Sequence, residues 1–403
     1  MALRGGATSH RVKRLALVVT NILPLLLALP WLGYPIVVAL RARRSRSLEE
    51  EPASAPDDAP FVSLVIPARN EAHNIGRCVE SALRADYPAL EVVVVDDHST
   101  DETGAIVRAV AARDARVKVV TPDPLPDGWF GKQWACTAGA RVARGGIVGF
   151  LDADTVQAPD LVPRVVNTMR ARKSDMLTVA GAQELGSFWE RVIQPQVFMM
   201  MLARYGGTEV VNESHRASDK IANGQCLFVR REAYDALGGH ARVKDKVAED
   251  LALAQRFFLT GHRTTIVLGM RQLSTRMYTS LRELVNGWGK NFYAGGVDAM
   301  PFGRAGAVLY PMALVGPRLF GVVPPVLLLL GVLGAVSSGA LLWAAIVVVV
   351  NLLWWVVVYA KLGLSPVYAL LYPVGEGAVA YIALRSVLRG RRVEWKGRQY
   401  VAG

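Results

Sequence analysis

Long apolar segments at both ends of the chain set the strongest limit on its fold. They comprise residues 15–40, 319–336, 340–359 and 364–388. A run of about 20 apolar residues is long enough to cross a bilayer as an α-helix, and in lipid a helix satisfies all its backbone N–H and C=O groups internally. The sequence therefore predicts an integral membrane protein with α-helical transmembrane segments. We place an N-terminal anchor in residues 1–44 and a C-terminal membrane region with a basic tail in residues 301–403.

The orientation of these segments stays open at this stage. The first segment is longer than a signal-peptide core and has no convincing cleavage site, so we expect it to be retained. Basic residues flank it on both sides, so charge alone does not orient it. The last segment contains Pro373 and Glu376 and is compatible with a spanning, re-entrant or interfacial helix. The basic tail favours the cytoplasmic side, whereas an odd number of C-terminal crossings would place it opposite the soluble middle.

Charge and cysteine content exclude several classes of function. The formal net charge is +12 at pH 7, but the basic residues flank apolar runs and form no stripe interleaved with aromatic residues. We therefore expect membrane lipids rather than nucleic acid as the partner of this charge. Cys78, Cys136 and Cys226 lie far apart in sequence, which argues against a disulfide framework or a structural zinc site. Nothing in the sequence indicates an oligomeric state.

The middle of the chain alternates between apolar strands and helices. A Ser-, Glu- and Pro-rich linker in residues 45–60 leads into a domain that we place at residues 61–300. The predicted strands are residues 61–66, 91–95, 116–120, 146–151, 176–179, 221–229 and 264–268. Helices are predicted at residues 72–84, after a cap at Ser99 or Thr100, and at residues 132–144. Strands that are apolar throughout and separated by helices are typical of a parallel sheet covered on both faces. In the strand predicted at 221–229, Gly224 indicates close approach of another group.

Polar residues follow three of these strands, at the point where each strand ends. They form the clusters 67–71, 96–101 and 152–154. In an α/β sheet, ligands bind beyond the carboxyl ends of the strands. Asp152 and Asp154 are two residues apart, so their side chains can project to the same side, and a divalent cation with phosphate oxygens would offset their repulsion. The sequence therefore predicts a metal-diphosphate site at this edge.

Each of these residues also has an ordinary structural interpretation. The Asp96-Asp97 and Glu249-Asp250 pairs are typical of helix starts, where acidic side chains are favourable. The Asn70-Glu71 pair is compatible with a plain turn. Lys132 is either a solvated lysine at a helix start or a phosphate contact there. Trp288 is either a packing residue or part of the site.

Taken in order and spacing, these residues resemble glycosyltransferase family 2, whose members are inverting enzymes with a GT-A fold. The markers are Ile66-Pro67-Ala68-Arg69-Asn70-Glu71, Val95-Asp96-Asp97-His98-Ser99-Thr100-Asp101, Gly131-Lys132, Asp152-Ala153-Asp154 and Glu249-Asp250. The resemblance covers residues 61–292. It implies a Rossmann-like α/β domain with a mixed, mostly parallel sheet. The membrane segments, the stretch 125–135 and Trp395-Lys396-Gly397-Arg398 look like the ceramide-, hopanoid- and carotenoid-associated lipid glycosyltransferases of this family.

The resemblance also implies a role for each matching residue. The donor-binding residues would be Pro67, Asn70, Glu71, Asp96, Asp97, Lys132, Asp152 and Trp288. Of these, Pro67, Asn70, Glu71 and Asp97 would hold the nucleoside. Asp154 would bind the metal, Mg²⁺ or Mn²⁺, with Asp152 as a second ligand. Asp250, beside Glu249, would be the general base that deprotonates the acceptor. The expected activity is that of a metal-dependent hexosyltransferase of the EC 2.4 class. It would transfer sugar from a nucleotide donor, a UDP-sugar, to a lipid or other hydrophobic acceptor.

One motif of the family is incomplete. Processive and ceramide-type members carry Gln/Arg-x-x-Arg-Trp, whereas here the stretch 284–288 keeps only Trp288. Lys290 and Arg282 are nearby cations that could substitute. The loss argues against the main alternative, a processive polysaccharide synthase. A second alternative is a non-catalytic nucleotide-sugar-binding membrane protein. A dinucleotide dehydrogenase is not expected, because no Gly-x-Gly-x-x-Gly follows the first strand. Since sugar nucleotides are cytosolic, we expect the catalytic domain to face the cytoplasm.

Overall fold

The computed structural model of the protein describes residues 23–297, 300 and 303–401. Within these ranges the chain divides into two compact units. The membrane unit takes its residues from Met1–Arg43, Gly186–Arg204 and Pro311–Arg385. The sheet unit takes its residues from Arg44–Leu185, Tyr205–Tyr310 and Ser386–Gly403. The end of the chain therefore belongs to the sheet unit, although it follows the last membrane helix in sequence.

One mixed sheet organises the sheet unit. Its strands are β1 (Val62–Ala68), β2 (Leu90–Asp96), β3 (Val117–Val120), β4 (Ile147–Leu151), β5 (Thr155–Gln157), β6 (Met176–Gln183), β7 (Cys226–Arg230) and β8 (Thr264–Thr275). Within the described residues, these eight strands follow the order β3-β2-β1-β4-β7-β6-β8-β5. Four neighbouring pairs are parallel, and β7 and β5 supply the antiparallel ones. This confirms the predicted mixed, mostly parallel sheet.

Helices cover the sheet on both faces. They are α2 (Ile75–Leu83), α3 (Thr103–Ala111), α4 (Gly131–Val142), α5 (Leu161–Ala171), α7 (Thr208–Glu213), α8 (Arg231–Leu237), α9 (Glu249–Leu259) and α10 (Leu281–Gly296). Successive residues of β1 enter different cores: Leu64 packs in one cluster and Val65 in another. Side chains of a strand alternate between the two faces, and burial on both faces explains why β1, β2 and β4 are apolar throughout.

The observed bounds differ from the predicted ones by a few residues in most elements. The helix predicted at 72–84 is α2, which begins at Ile75. The strand predicted at 221–229 is β7, which begins at Cys226, so Gly224 lies in the preceding turn. The amide of Cys226 donates to the carbonyl of Asn223 across that turn.

The basic tail forms a β-hairpin that the sequence analysis did not predict. Strand β9 (Arg392–Trp395) pairs antiparallel with β10 (Arg398–Val401). The two connecting residues, Lys396 and Gly397, have φ angles of 48° and 78°. A two-residue turn with positive φ at both positions matches the right-handed twist of a hairpin. Glycine takes this conformation without strain, which makes the Lys-Gly pair suitable for the turn.

The membrane unit consists of helices. Four of the helices in the described ranges are long and apolar enough to cross a membrane: Leu23–Ala42, Ala305–Val332, Ser338–Lys361 and Pro366–Arg389. We name the corresponding α-helices α1 (Leu23–Ala42), α11 (Gly303–Val332), α12 (Ser338–Lys361) and α13 (Tyr372–Arg389), and α6 (Phe188–Tyr205) also contributes to the unit. These helices confirm the predicted α-helical membrane segments. Residues 15–22 of the first predicted segment lie outside the described residues.

Helix α11 begins well before residue 319, where the sequence analysis placed the start of its segment. It contains four prolines, at positions 311, 317, 324 and 325. Proline normally interrupts a helix because it lacks the N–H group and its ring clashes with the preceding turn. Apolar membrane helices tolerate it when neighbouring groups satisfy the freed carbonyls.

Candidate active site

Two carboxylates follow β4 at the edge where β1 and β2 also end. Asp152 and Asp154 are both half-buried, and the buried Oδ1 of Asp154 has no hydrogen-bond partner among the described residues. Burial, together with the neighbouring Asp152 and Glu71 carboxylates, raises the pKa of Asp154 to about 7. A buried carboxylate oxygen without a partner, close to two other acids, is the environment that a cation would stabilise.

Lys132 lies between two carboxylates of this site. Its ammonium is 2.7 Å from Oδ1 of Asp152 and 2.7 Å from Oε1 of Glu249. Burial lowers the pKa of Lys132, but the two carboxylates outweigh burial and hold that pKa well above its ordinary value. Burial likewise raises the pKa of Glu249, and the Lys132 cation reverses this and lowers it. Lys132 is therefore a fixed cation, held in the first turn of α4.

Asp250 lies at the start of α9, beside this cluster. Its Oδ2 accepts a hydrogen bond from the amide of Gly224 at 2.7 Å, and Oδ1 accepts one from the amide of Leu251 at 2.8 Å. Burial and the adjacent Glu249 raise the pKa of Asp250 to about 6. A carboxylate with a fixed orientation and a pKa close to neutrality has the properties of a general base.

Gly224 lies in the turn that brings these groups together. A Cβ atom at this position would be 3.1 Å from Oδ2 of Asp250 and 3.2 Å from Nζ of Lys132. The carbonyl of Gly224 is also 3.5 Å from the Lys132 ammonium. The groups that approach Gly224 closely, as the sequence predicted, are thus the side chains of Asp250 and Lys132.

A small cavity opens beside the cluster. It is lined by Pro67, Lys132, Cys136, Phe150, Leu151, Asp152, Gly224, Leu227, His240, Glu249 and Asp250. Five of the site residues selected from the sequence therefore share one cavity. His240 lines it as well, but burial lowers the pKa of this histidine to about 4, so it is neutral, and its Nδ1 lies 2.8 Å from the Tyr234 hydroxyl.

The ends of β1 and β2 form the second part of the site. Asn70 has a positive φ of 53°, and its side-chain oxygen accepts a hydrogen bond from the amide of Thr100 at 2.8 Å. Asp96 accepts a hydrogen bond from the amide of Ser99 at 3.1 Å, so its carboxylate organises the turn after β2. Asp97 is almost fully buried, and the structure pairs it with Arg398 from the C-terminal hairpin.

Helix α10 carries the residue that remains of the incomplete motif. Trp288 is 7% exposed and packs between Tyr278 and Phe292, with ring centroids 6.0 and 5.8 Å away. Its indole N–H is buried without a partner among the described residues. Of the two nearby cations, Arg282 is exposed, whereas Lys290 is part-buried. Burial lowers the pKa of Lys290, and Glu249, Asp152 and Asp250 are among the charges that act on it. Of these two cations, Lys290 is therefore the one on which the charges of the acidic cluster act.

The C-terminal hairpin supplies contacts that the sequence analysis assigned to no residue. Lys396 is 2.8 Å from Oε1 of Glu71 and also donates to the carbonyl of Asn70 at 3.2 Å. Arg398 binds both carboxylate oxygens of Asp97, at 2.5 and 3.3 Å. The signal in the sequence for these contacts is the Trp395-Lys396-Gly397-Arg398 motif in the basic tail.

The oxygen donors of the site fit a hard divalent cation. No group of three or more His, Cys, Asp or Glu side chains in the described part of the chain has metal-binding geometry. Mg²⁺ sites that bind nucleotides commonly use one or two carboxylates and take their other ligands from phosphate and water. Asp154, with its unpartnered buried oxygen, and Asp152 fit such a two-carboxylate site.

Known proteins are similar to this chain in sequence. Residues 63–238 match the family model described as glycosyl transferase family 2. A 4,4'-diaponeurosporenoate glycosyltransferase from Staphylococcus aureus strain MRSA252 is 27% identical over 348 residues, which are 84% of this chain and 88% of the relative. The protein of that name from strain USA300 is 28% identical over 243 residues, 60% of this chain and 63% of the relative.

A solved structure shows the fold. The mannosyltransferase PcManGT from Pyrobaculum calidifontis, determined in complex with GDP-Man and Mn²⁺, superimposes with a TM-score of 0.55. It is 21% identical, and the match covers 91% of this chain and 99% of that one. The predicted GT-A-type architecture with membrane helices is therefore confirmed. The chain carries, over residues 63–238, a domain of glycosyl transferase family 2.

Proposed function

We propose that this glycosyltransferase is a metal-dependent, inverting enzyme that transfers one sugar from a nucleotide-sugar donor, a UDP-sugar, to a lipid acceptor. The observation that carries the proposal is the meeting of Lys132 with Asp152 and Glu249, and of Asp250 with Gly224, in one buried cluster. Such a cluster contains both parts that single displacement needs, namely a cation for the leaving group and a base for the acceptor.

Asp250 is the proposed base. In single displacement, the acceptor oxygen attacks the anomeric carbon from the side opposite the leaving nucleoside diphosphate, and a hydroxyl acceptor must lose its proton. The two backbone amides that bind Asp250 fix the direction of its carboxylate. Its pKa of about 6 leaves it deprotonated, but still basic, at neutral pH. These properties support the assignment of Asp250 rather than Glu249, whose carboxylate is bound to Lys132.

Asp154 and Asp152 are the proposed metal ligands. A divalent cation bound there would neutralise the charge that develops on the departing nucleoside diphosphate. Lys132 lies 2.7 Å from Asp152 and can act on the same charge. The complex of PcManGT with Mn²⁺ supports a metal in this fold, and the membrane assay below compares Mg²⁺ with Mn²⁺.

The acceptor proposal rests on the membrane helices and on the relatives. Four helices in the described ranges are apolar enough to hold the domain at a bilayer. The relatives are named 4,4'-diaponeurosporenoate glycosyltransferases, and the ending of that name denotes a carboxylate. We therefore propose a hydrophobic acceptor that presents a hydroxyl or a carboxyl group. We also propose that the catalytic domain faces the cytoplasm, where sugar nucleotides are made.

The decisive experiment incubates membranes containing the protein with a panel of labelled nucleotide sugars and Mg²⁺ or Mn²⁺. Extraction of the lipids should yield a product with one added sugar from one donor, and EDTA should abolish it. Membranes containing the Asp154→Asn variant are the matched control and should give no product. Absence of labelled lipid with every donor, or full activity in EDTA, would refute the proposal. Long polymer would favour the processive alternative.

A further inference from the structure

The C-terminal hairpin contacts the residues assigned to the nucleoside end of the donor site. Lys396 binds Glu71 and the carbonyl of Asn70, and Arg398 binds Asp97. These pairs join residues far apart in sequence. Arg398 and Asp97 are 301 positions apart, and Lys396 and Asn70 are 326 positions apart. The contacts therefore depend on the fold and are not formed by neighbouring segments.

Apolar and aromatic contacts anchor the hairpin in place. Val393 is 3% exposed and packs with Phe130, Val247 and Ala294. The ring of Tyr400 stacks on Phe130, with centroids 4.2 Å apart and an angle of 13° between the planes. Phe130 immediately precedes helix α4, which carries Lys132. The hairpin is thus fixed to the element that supplies the central cation of the site.

Side chains of β10, the second strand of the hairpin, alternate between a partly buried face and an exposed face. In β10, Arg398 and Tyr400 are partly buried, whereas Gln399 and Val401 are exposed. Residues two apart in a strand project from the same face. The hydroxyl of Tyr400 accepts a hydrogen bond of 3.4 Å from the amide of Gly131, the first residue of α4. One face of the strand therefore reaches both Asp97 and the start of α4.

The ion pairs of Arg398 and Lys396 provide counter-charges for two acidic residues. The side chain of Asp97 is 3% exposed, and that of Arg398 is 21% exposed. A buried carboxylate without a counter-charge is strongly unfavourable. Without the guanidinium, Asp97 would keep, among the described residues, only the contact of its Oδ1 with Nδ1 of His98 at 3.3 Å, so it would turn, protonate or admit water. Lys396 has the same relation to Glu71, whose charge also acts on Asp152 and Asp154. Both hairpin cations thus pair with acidic groups that follow β1 and β2.

We propose that the C-terminal hairpin is part of the donor site and that Arg398 and Lys396 are positioning residues. Arg398 holds the Asp97 carboxylate in the orientation that receives the nucleoside, and Lys396 fixes the Asn70-Glu71 turn. This inference rests on the proposed function, because it takes the nucleotide sugar as the ligand of Asp97 and Glu71. It adds that a segment beyond the membrane helices completes the site.

If the hairpin were instead a cover that blocks the site, the same contacts would weaken nucleotide binding rather than support it. A cover competes with the nucleotide for Asp97, so its removal would strengthen nucleotide binding. A positioning element weakens binding when it is removed. The structure favours the second case, because the hairpin is anchored through a buried valine and a stacked ring, and because Asp97 depends on Arg398 for its counter-charge.

The test measures the Kd of UDP and the donor KM and kcat for the full-length protein in detergent. Arg398→Ala should raise the Kd and the KM by about tenfold or more, with a much smaller change in kcat at saturating donor. Arg398→Lys should retain part of the affinity. Arg392→Ala, which removes an exposed arginine from the same hairpin, is the matched control and should bind as the wild type does. The melting temperature of each variant without ligand reports on folding.

A double-mutant cycle with Asp97→Asn separates positioning from general weakening of the structure. If Arg398 acts through Asp97, Arg398→Ala should add little to the loss caused by Asp97→Asn. Fully additive losses, unchanged binding in Arg398→Ala, or tighter binding in that variant would each overturn the inference. Failure of the wild type to bind any nucleotide in a panel would instead refute the proposed function, so the two failures are distinguishable.

Discussion

Asp250 has the combination of fixed orientation and raised pKa that a base requires. It acts in its deprotonated form, so a pKa of about 6 means that the active fraction falls as the pH drops below that value. With a hydroxyl acceptor and saturating metal, we expect kcat to be level above pH 7 and to fall about tenfold per pH unit well below pH 6. The measurement is the pH profile of kcat in the membrane assay.

Substitution of the base provides the control for that profile. Asp250→Asn should lower kcat about 10²- to 10⁴-fold and remove the acidic limb. Asp235→Asn, which changes an exposed acid in α8, should leave kcat and the acidic limb of the pH profile unchanged. A carboxyl acceptor is already ionised at neutral pH and needs no base, so a small effect of Asp250→Asn would identify that class of acceptor. A wild-type profile that stays level to pH 5 with a hydroxyl acceptor would contradict the role of Asp250.

Lys132 offsets the charges of the buried Glu249 and the half-buried Asp152. Replacement by methionine leaves Asp152 and Glu249 without the cation that lies 2.7 Å from each. Loss of one partner of a buried ion pair costs about 3 kcal/mol, so we expect a clear fall in the free energy of unfolding together with loss of transfer. Thermal or denaturant unfolding in detergent measures the free energy of unfolding. Lys173→Met, at an exposed lysine, is the control, and equal stability of the two variants would argue against the ion-pair account.

Helix α10 is positioned by a glycine that packs against an aromatic ring. A Cβ atom on Gly287 would be 2.3 Å from ring atoms of Tyr278, whereas one on Gly289 would have nothing within 4 Å. Gly287→Ala should therefore destabilise the protein by about 1–3 kcal/mol through overpacking. It should also lower transfer activity, because Trp288 and Lys290 lie on the same helix.

Gly289→Ala is the matched control in this helix. With open space around the new methyl group, it should stabilise the protein by up to about 1 kcal/mol, since alanine is the better helix former. The two substitutions add the same methyl group to the same helix and differ only in the space around it. We therefore expect Gly287→Ala to lower the melting temperature and Gly289→Ala to raise it. Equal effects would show that the contact with Tyr278 does not limit the position of α10.

The path of the whole chain is constrained by the C-terminal hairpin. The hairpin packs within the sheet unit, so the chain must return to the side of the membrane where that unit lies. Three candidate spans follow the sheet domain, namely Ala305–Val332, Ser338–Lys361 and Pro366–Arg389. An even number of crossings is therefore expected. The segment Pro366–Arg389 has the lowest mean hydropathy of the three and contains Glu376, so we predict that it does not cross.

Cysteine labelling tests this topology. The native cysteines are buried, so single reporters at exposed positions can be introduced against a quiet background. Glu102→Cys in the sheet domain and Gln399→Cys in the hairpin should react from the same side of sealed vesicles. Ala335→Cys, between α11 and α12, should react from the other side. Labelling of positions 102 and 399 from opposite sides would contradict both the topology and the role of the hairpin in the site.

Much of the fold and part of the site could be predicted from local patterns. Apolar strands separated by helices specify an α/β sheet, and the carboxyl ends of its parallel strands share one edge, which is where Pro67, Asp96 and Asp152 are expected. The order of the acidic motifs indicated the glycosyltransferase family, and the length of the apolar segments indicated membrane helices. These features depend on residues close together in sequence, where periodicity and chain direction decide the outcome.

Only the tertiary structure decided which charges pair. The link from Lys132 to Glu249 and the contacts of Arg398 with Asp97 and of Lys396 with Glu71 join segments far apart in sequence. Nothing local specifies such pairs, because electrostatic attraction between buried groups depends on distance and burial, which the packing of distant elements sets. The sequence by itself determined the types of residue at the sheet edge. Which of them meet, and that the last residues of the chain join them, follows from the three-dimensional fold.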